Sequence, residues 1–124
     1  MSVREIQIKI KNIIVDAQLN ETKTAEAIWQ KLPIKSTVKT WGEEIYFSIP
    51  VKEELENPVE VVKLGDLGYW PPGEAFCIFF GKTPVSTNSE IKPASAVTIV
   101  GKIKGPLDLF KNIFDGEEII IDKK

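Results

Sequence analysis

The sequence predicts a mostly β domain, a closed eight-stranded barrel with two short helices at its ends. Isoleucine and valine together number 27, against 13 for leucine and alanine, and β-branched residues favour strands. Several short segments alternate apolar and polar residues, and only two segments have helical spacing. Closing the sheet removes exposed strand edges. At 124 residues the chain is expected to form one domain over residues 1–124.

Composition and charge exclude several classes of protein. With 43% hydrophobic and 27% charged residues, the chain is typical of globular proteins. The net charge of −2 gives no electrostatic support for a nucleic-acid partner. Residues 1–7 show no apolar signal region, and the longest apolar run, six residues, is too short to span a membrane. We therefore expect a cytoplasmic protein with neither nucleic acid nor membrane as partner.

The first strands form a predicted hairpin. Residues 5–11 alternate isoleucine with polar residues, which is typical of a strand with one buried face. Lys11 and Asn12 suit a two-residue turn because asparagine tolerates positive φ. Residues 13–19 then return as the second, antiparallel strand.

A short amphipathic helix follows the hairpin. Thr22 belongs to a group of capping residues, and the apolar Ala25, Ile28 and Leu32 recur at helical spacing. Pro33 ends the segment. We expect this apolar stripe to cover an open end of the barrel.

The remaining chain supplies further strands and one more helix. Residues 34–39 are expected to be a short extended segment or loop, and residues 65–73 and 81–93 to be turns and loops. The six-residue apolar run at 75–80 suits a strand buried on both faces. The other predicted elements are strands at 43–49, 59–64, 96–104 and 117–122, and a proline-opened helix at 106–114.

The residue types leave little room for metal or nucleophilic chemistry. The chain has no histidine and a single cysteine, Cys77, so zinc and copper lack their usual ligands. The adjacent carboxylate pairs point to opposite faces of strands and do not converge. Cys77 lies among phenylalanines and is interpreted as a small buried hydrophobe. We expect no metal and no cofactor.

A binding groove is the functional feature that the sequence favours. Five of the eleven aromatic residues fall within residues 69–80, next to two prolines. They form either core and a rigid corner or the wall of an apolar groove. In the second interpretation Trp41 and Tyr46 belong to the same wall. On the strand at 43–49, Glu44 shares one face with Tyr46 and Ser48, so a carboxyl and a phenol project together. The candidate binding residues are Glu44, Tyr46, Phe47, Tyr69, Trp70 and Phe76.

Several short motifs follow one another along the chain: K-T-A-E-A-I-W-Q-K-L (23–32), G-D-L-G-Y-W (65–70), A-F-C-I-F-F with K-T-P (75–84), and V-G-K-I-K-G-P-L-D-L-F (100–110). Their order resembles that of cyclophilins. With Trp41-Gly42 before E-I-Y-F and the later Y-W-P-P-G, the set is most similar to a small prokaryotic cyclophilin-like family without a settled function. The resemblance implies an eight-stranded barrel with a helix at each end.

The sequence departs from cyclophilins at the residues that twist a prolyl peptide bond. The resemblance places the family's arginine near Phe47, its floor aromatic near Cys77, its tryptophan near Val85 and its histidine near Val97. The one arginine, Arg4, lies in the first strand. An isomerase stabilises a twisted amide with a charged donor at such a position, and none is present.

Three functional hypotheses remain from the sequence. The first is a binding module for a small molecule or peptide, without covalent chemistry. The second is a weak or relict peptidyl-prolyl isomerase. The third is an enzyme that uses Glu44, whose pKa would rise if its strand face is apolar, making it a general acid.

Overall fold

The computed structural model describes residues 4–124, and its nine strands form one antiparallel sheet wrapped into a nearly closed barrel. The elements are β1 (Arg4–Ile10), β2 (Ile13–Leu19), helix α1 (Lys23–Lys31), β3 (Ile34–Thr37), β4 (Lys39–Thr40), β5 (Glu44–Ser48), β6 (Asp66–Trp70), β7 (Ala75–Phe79), β8 (Thr98–Ile103) and β9 (Glu118–Lys123), with 3₁₀ helices at Pro71–Gly73 and Asp108–Asn112. The strand order is β3-β9-β1-β2-β8-β6-β7-β5-β4.

The predicted hairpin is confirmed. β1 and β2 pair with Ile6 opposite Ala17 and Ile8 opposite Val15, and Lys11 adopts a left-handed turn conformation at φ 55°. The alternate isoleucines of β1 are at most 1% exposed. Each such burial contributes roughly 1.5–3 kcal/mol, which fixes the register of the strand.

The prediction of a closed, eight-stranded barrel is wrong in detail, because residues 4–124 form nine strands and the sheet does not close completely. The segment 34–40 supplies both edges of the sheet, because β3 pairs only with β9 and β4 only with β5 within residues 4–124. No ladder joins β3 to β5 in this part of the chain. The Ser36 hydroxyl instead donates a hydrogen bond of 2.9 Å to the Ser48 carbonyl across the gap.

One strand was predicted in the wrong place. Residues 59–64 form only isolated bridges to Val97 and Ile91, whereas residues 66–70, predicted as a turn, form β6. Residues 66–70 pair with both β7 and β8, and a Cβ at Gly68 would lie 3.2–3.4 Å from side-chain atoms of Phe79 and Val97. Glycine therefore serves here as a strand residue that lets neighbouring side chains approach closely.

The two predicted helices differ from each other in the structure. α1 has Thr22 as its N-cap, with Oγ1 accepting a 3.1 Å hydrogen bond from the Ala25 amide, and it buries Ala25 and Ile28 as predicted. The second is a five-residue 3₁₀ helix that buries Phe110. No helix in the described range 4–124 is long and apolar enough to cross a membrane.

Candidate functional site

An apolar pocket lies on the outer face of the sheet, under the loop 81–97. Its cavity measures about 270 Å³, close to the lower end for small-molecule sites. The residues that line it are mostly apolar or aromatic: Trp41, Glu44, Tyr46, Trp70, Cys77, Pro93, Ala94 and Val97.

Strand register builds the floor of the pocket. Tyr46 on β5 lies opposite Cys77 on β7, and Cys77 lies opposite Gly68 on β6. The side chains in this row become smaller from Tyr46 to Cys77 to Gly68, so the row leaves space above the sheet. Because alternate residues of a strand share a face, Glu44 and Trp70 project to the same side as this row.

An outer cluster beside the pocket buries the second face of β7. It consists of Val62, Ala75, Cys77, Phe79 and Val97. Every residue of β7 is consequently buried, as predicted for the apolar run. The inner face of the same strand, with Phe76 and Ile78, belongs to the barrel core.

Hydroxyl groups hold the covering loop in place. The Ser86 hydroxyl accepts hydrogen bonds from the Thr83 amide at 2.9 Å and from the Lys92 amide at 3.0 Å. The Thr83 hydroxyl donates to the Lys92 carbonyl. At the pocket itself, Trp70 Nε1 donates a 2.7 Å hydrogen bond to the Ser95 hydroxyl. The loop thus forms a fixed roof tied to the aromatic wall.

Glu44 is the buried acid of the pocket. Glu44 is only 5% exposed, and its Oε1 has no hydrogen-bond partner among residues 4–124. Loss of hydration raises the pKa of its carboxyl from 4.5 to about 7, although a hydrogen bond from the Cys77 thiol acts in the opposite direction. The pocket therefore contains a carboxyl that titrates near neutral pH.

Cys77 is buried, as the sequence interpretation holds. Burial raises the pKa of its thiol well above the ordinary value, and the charge of Glu44 raises it further. A thiol in this environment stays protonated and is a poor nucleophile.

The structure separates the six predicted binding residues into two sets. Glu44, Tyr46 and Trp70 line the pocket, and so does Trp41. The other three candidates belong to the barrel core: Phe47, Tyr69 and Phe76. The sequence offered no signal for the roof residues, which loop 81–97 supplies.

The expectation that Tyr69 forms an exposed wall is wrong. It is 0% exposed because it points to the opposite face of β6 from Trp70. Its hydroxyl donates a 2.6 Å hydrogen bond to the Val51 carbonyl. Phe47 and Phe76 stack in the core with ring centroids 5.3 Å apart, so neither side chain contacts the pocket.

Of the four positions that the cyclophilin resemblance implies, two line the pocket and two lie outside it. Cys77 and Val97 line the pocket, Phe47 faces the core, and Val85 is half-exposed outside it. Arg4 lies on β1, where it pairs with Glu26 of α1 at 2.6 Å.

The barrel and its outer pocket define a cyclophilin-type fold, and comparison with known proteins gives the family. Residues 4–122 match the family model described as "Cyclophilin-like", and the chain belongs to this family. The solution structure of the hypothetical protein AF2241 from Archaeoglobus fulgidus is similar, with 40% identity, a TM-score of 0.82, and coverage of 98% of this chain and 95% of that one.

A more distant structure shares the fold. McbB, in a structure described as a complex with tryptophan, is 16% identical with a TM-score of 0.72. The match covers 96% of this chain but 44% of McbB, so this chain corresponds to less than half of that protein. A search of the curated proteins finds no match.

Proposed function

We propose that this protein binds a small, largely apolar organic molecule in the pocket between Trp41, Tyr46 and Trp70. The observation that carries the proposal is the buried Glu44 carboxyl, since Glu44 lines an apolar cavity and its Oε1 has no hydrogen-bond partner within residues 4–124. Convergence of a few polar groups in an aromatic pocket is typical of ligand sites. A buried unpaired oxygen is costly, and a bound ligand would relieve it.

The size of the cavity favours a small molecule over a peptide backbone. At about 270 Å³ it accommodates one compact group. A peptide would have to place a single side chain there.

The three tryptophans provide the experiment. Trp41 and Trp70 line the pocket. Trp29 lies on α1, where the Lys123 Nζ is 4.6 Å from the centroid of the Trp29 ring. A fragment library is screened by NMR while the three indole N–H signals are followed. We expect binders to shift the signals of Trp41 and Trp70 and leave that of Trp29 unchanged. A library that moves neither pocket signal, or moves all three equally, contradicts the proposal.

Proton transfer by Glu44 is the second candidate function. A pKa of about 7 lets one carboxyl donate and accept protons at neutral pH, as a general acid or base requires. Fragments that bind are incubated with the protein in deuterium oxide, and mass spectrometry detects exchange at carbon. Catalysed exchange that is lost in Glu44→Gln supports this function, and exchange that persists in the variant contradicts it.

A further inference from the structure

Within residues 4–124, the lining of the pocket contains an acidic residue and no basic one. Glu44 is acidic, and none of the described residues that line the cavity is a lysine or arginine. The titratable groups facing Glu44 are Tyr46 on its own strand and the Cys77 thiol on β7. The roof contributes the uncharged Pro93 and Ala94.

The lysines of the covering loop are engaged elsewhere. Lys82 Nζ donates a 3.0 Å hydrogen bond to the Asn88 carbonyl, and Lys92 Nζ lies 3.9 Å from Glu90 Oε1. Neither lines the cavity, so the loop that covers Glu44 supplies no counter-charge to it.

Three aromatic side chains surround the same space. Trp41, Tyr46 and Trp70 are each partly exposed, and all three border the cavity. The electron-rich faces of such rings attract cations, most strongly where water is excluded. An acid and several aromatic rings in one pocket are thus two independent features that favour a positive charge.

We propose that the ligand of this pocket carries a positively charged nitrogen, an amine or alkylated ammonium, held between the Glu44 carboxylate and the rings of Trp41, Tyr46 and Trp70. The proposal rests on the proposed binding function and specifies the ligand's chemistry. A cation supplies the partner that Glu44 Oε1 lacks. A neutral apolar molecule would leave that oxygen unpaired, and an anion would be repelled.

Two matched pairs of probes test the charge of the ligand. Phenethylamine is compared with the neutral 2-phenylethanol, and choline with its neutral analogue 3,3-dimethylbutan-1-ol. Dissociation constants are measured at pH 8 from the indole signals of Trp41 and Trp70. We expect each cation to bind about tenfold more tightly than its neutral partner, or better.

Variants assign the preference to Glu44. In Glu44→Gln, which keeps the shape of the side chain, we expect the preference for the cation to disappear. Glu118→Gln removes the same charge from β9, outside the pocket, and should retain it. If Glu44→Gln does not fold, Trp41→Leu replaces it and should weaken cation binding more than binding of the neutral partner.

Proton release gives a second, independent measurement. Below pH 7 the free carboxyl of Glu44 is mostly protonated, and pairing with a cation favours its ionised form. Calorimetry of choline binding at pH 6 in two buffers with different ionisation enthalpies should show a net release of protons. Release should vanish in Glu44→Gln.

The outcomes separate this proposal from the binding function. Equal affinity for both members of each pair, with shifts at Trp41 and Trp70, overturns the cation proposal and leaves the binding function intact. Absence of shifts with all four probes and with the fragment library contradicts both. A preference for cations that survives in Glu44→Gln also overturns the proposal, since the charge would then be recognised elsewhere.

Discussion

Glu44 and Cys77 are diagonal neighbours on adjacent strands, and each changes the acidity of the other. Tyr46 lies opposite Cys77 and Glu44 lies opposite Phe79, which places the carboxyl and the thiol on one face, two positions apart. The Glu44 charge raises the pKa of the thiol. A hydrogen bond from the thiol lowers the pKa of the carboxyl, against the larger effect of burial.

The first prediction concerns this pair. Cys77→Ala removes the thiol hydrogen bond from Glu44 while leaving the carboxyl buried, so the pKa of Glu44 should rise further above about 7. The titration of Glu44 is followed by carbon NMR of the side-chain carboxyl in both proteins. An unchanged or lower pKa in the variant would show that the thiol does not interact with the carboxyl.

The second prediction concerns the dependence of stability on pH. The pKa of Glu44 is about 7 in the folded protein and 4.5 ordinarily, so the folded state binds more protons between these values. The free energy of unfolding should therefore fall as pH rises from about 4.5 to about 7. The loss attributable to Glu44 approaches about 3 kcal/mol.

Urea unfolding of two variants and the unmodified protein isolates this contribution. Glu44→Gln lacks the titrating group, so its stability relative to the unmodified protein should increase between pH 4.5 and pH 8. Glu118→Gln, changed at an exposed site, should show no comparable trend. Parallel pH profiles for Glu44→Gln and the unmodified protein would mean that the carboxyl is better hydrated than its burial indicates.

The third prediction concerns the inner face of β1. Ile8 is 0% exposed, and Ile8→Asp places an unpaired charge in the barrel core, which should abolish folding. Lys9 is exposed on the other face, and Lys9→Asp should change stability by less than about 0.5 kcal/mol. Thermal melts of both variants check this. Similar tolerance at the two positions would mean that the register of β1 is different.

The sequence predicts most of this fold because the alternating pattern of each strand follows directly from which face is buried. The hairpin, α1 and the doubly buried β7 could all be read from local patterns. β6 could not, because it becomes a strand through its contact with β8, where Asp66 lies opposite Lys102. That contact joins residues distant in the sequence, and locally two glycines indicate a turn.

The part of the site on β5 could be predicted from the alternation of side chains along a strand. Glu44 and Tyr46 share a face of β5 in the sequence pattern and share the pocket in the structure. A turn at residues 65–73 predicts no alternation and so groups Tyr69 with Trp70, whereas β6 places them on opposite faces. The roof residues Pro93 and Ala94 carry no chemical signature, and only the course of loop 81–97 brings them to the pocket.

The fourth prediction is that prolyl isomerase activity is undetectable. No arginine or lysine is among the described residues lining the pocket, and Arg4 is bound to Glu26 on another part of the barrel. Without a charged donor, little stabilises a twisted amide over a planar one. A protease-coupled assay with a proline peptide should give the uncatalysed rate. A clear acceleration that Trp70→Ala abolishes would contradict this prediction.

The fifth prediction contrasts two neighbouring aromatic residues on β6. Trp70 is partly exposed, packs over Gly73, and donates to Ser95. Trp70→Ala should therefore reduce stability by only about 1–2 kcal/mol while removing ligand contact. Tyr69 is fully buried, and Tyr69→Ala should cost about 3–5 kcal/mol.

Two measurements on each variant separate a pocket wall from a core residue. Urea unfolding gives the loss of stability, and NMR titration with a fragment that shifts the Trp41 indole gives the loss of binding. Trp70→Ala should lose binding and keep its fold, because its side chain borders the cavity and lies outside the barrel. Tyr69→Phe removes only the hydroxyl that bonds the Val51 carbonyl; it should bind the fragment normally and lose about 1–3 kcal/mol of stability. If Trp70→Ala instead unfolds the protein, Trp70 is a core residue and does not form a wall of the ligand pocket.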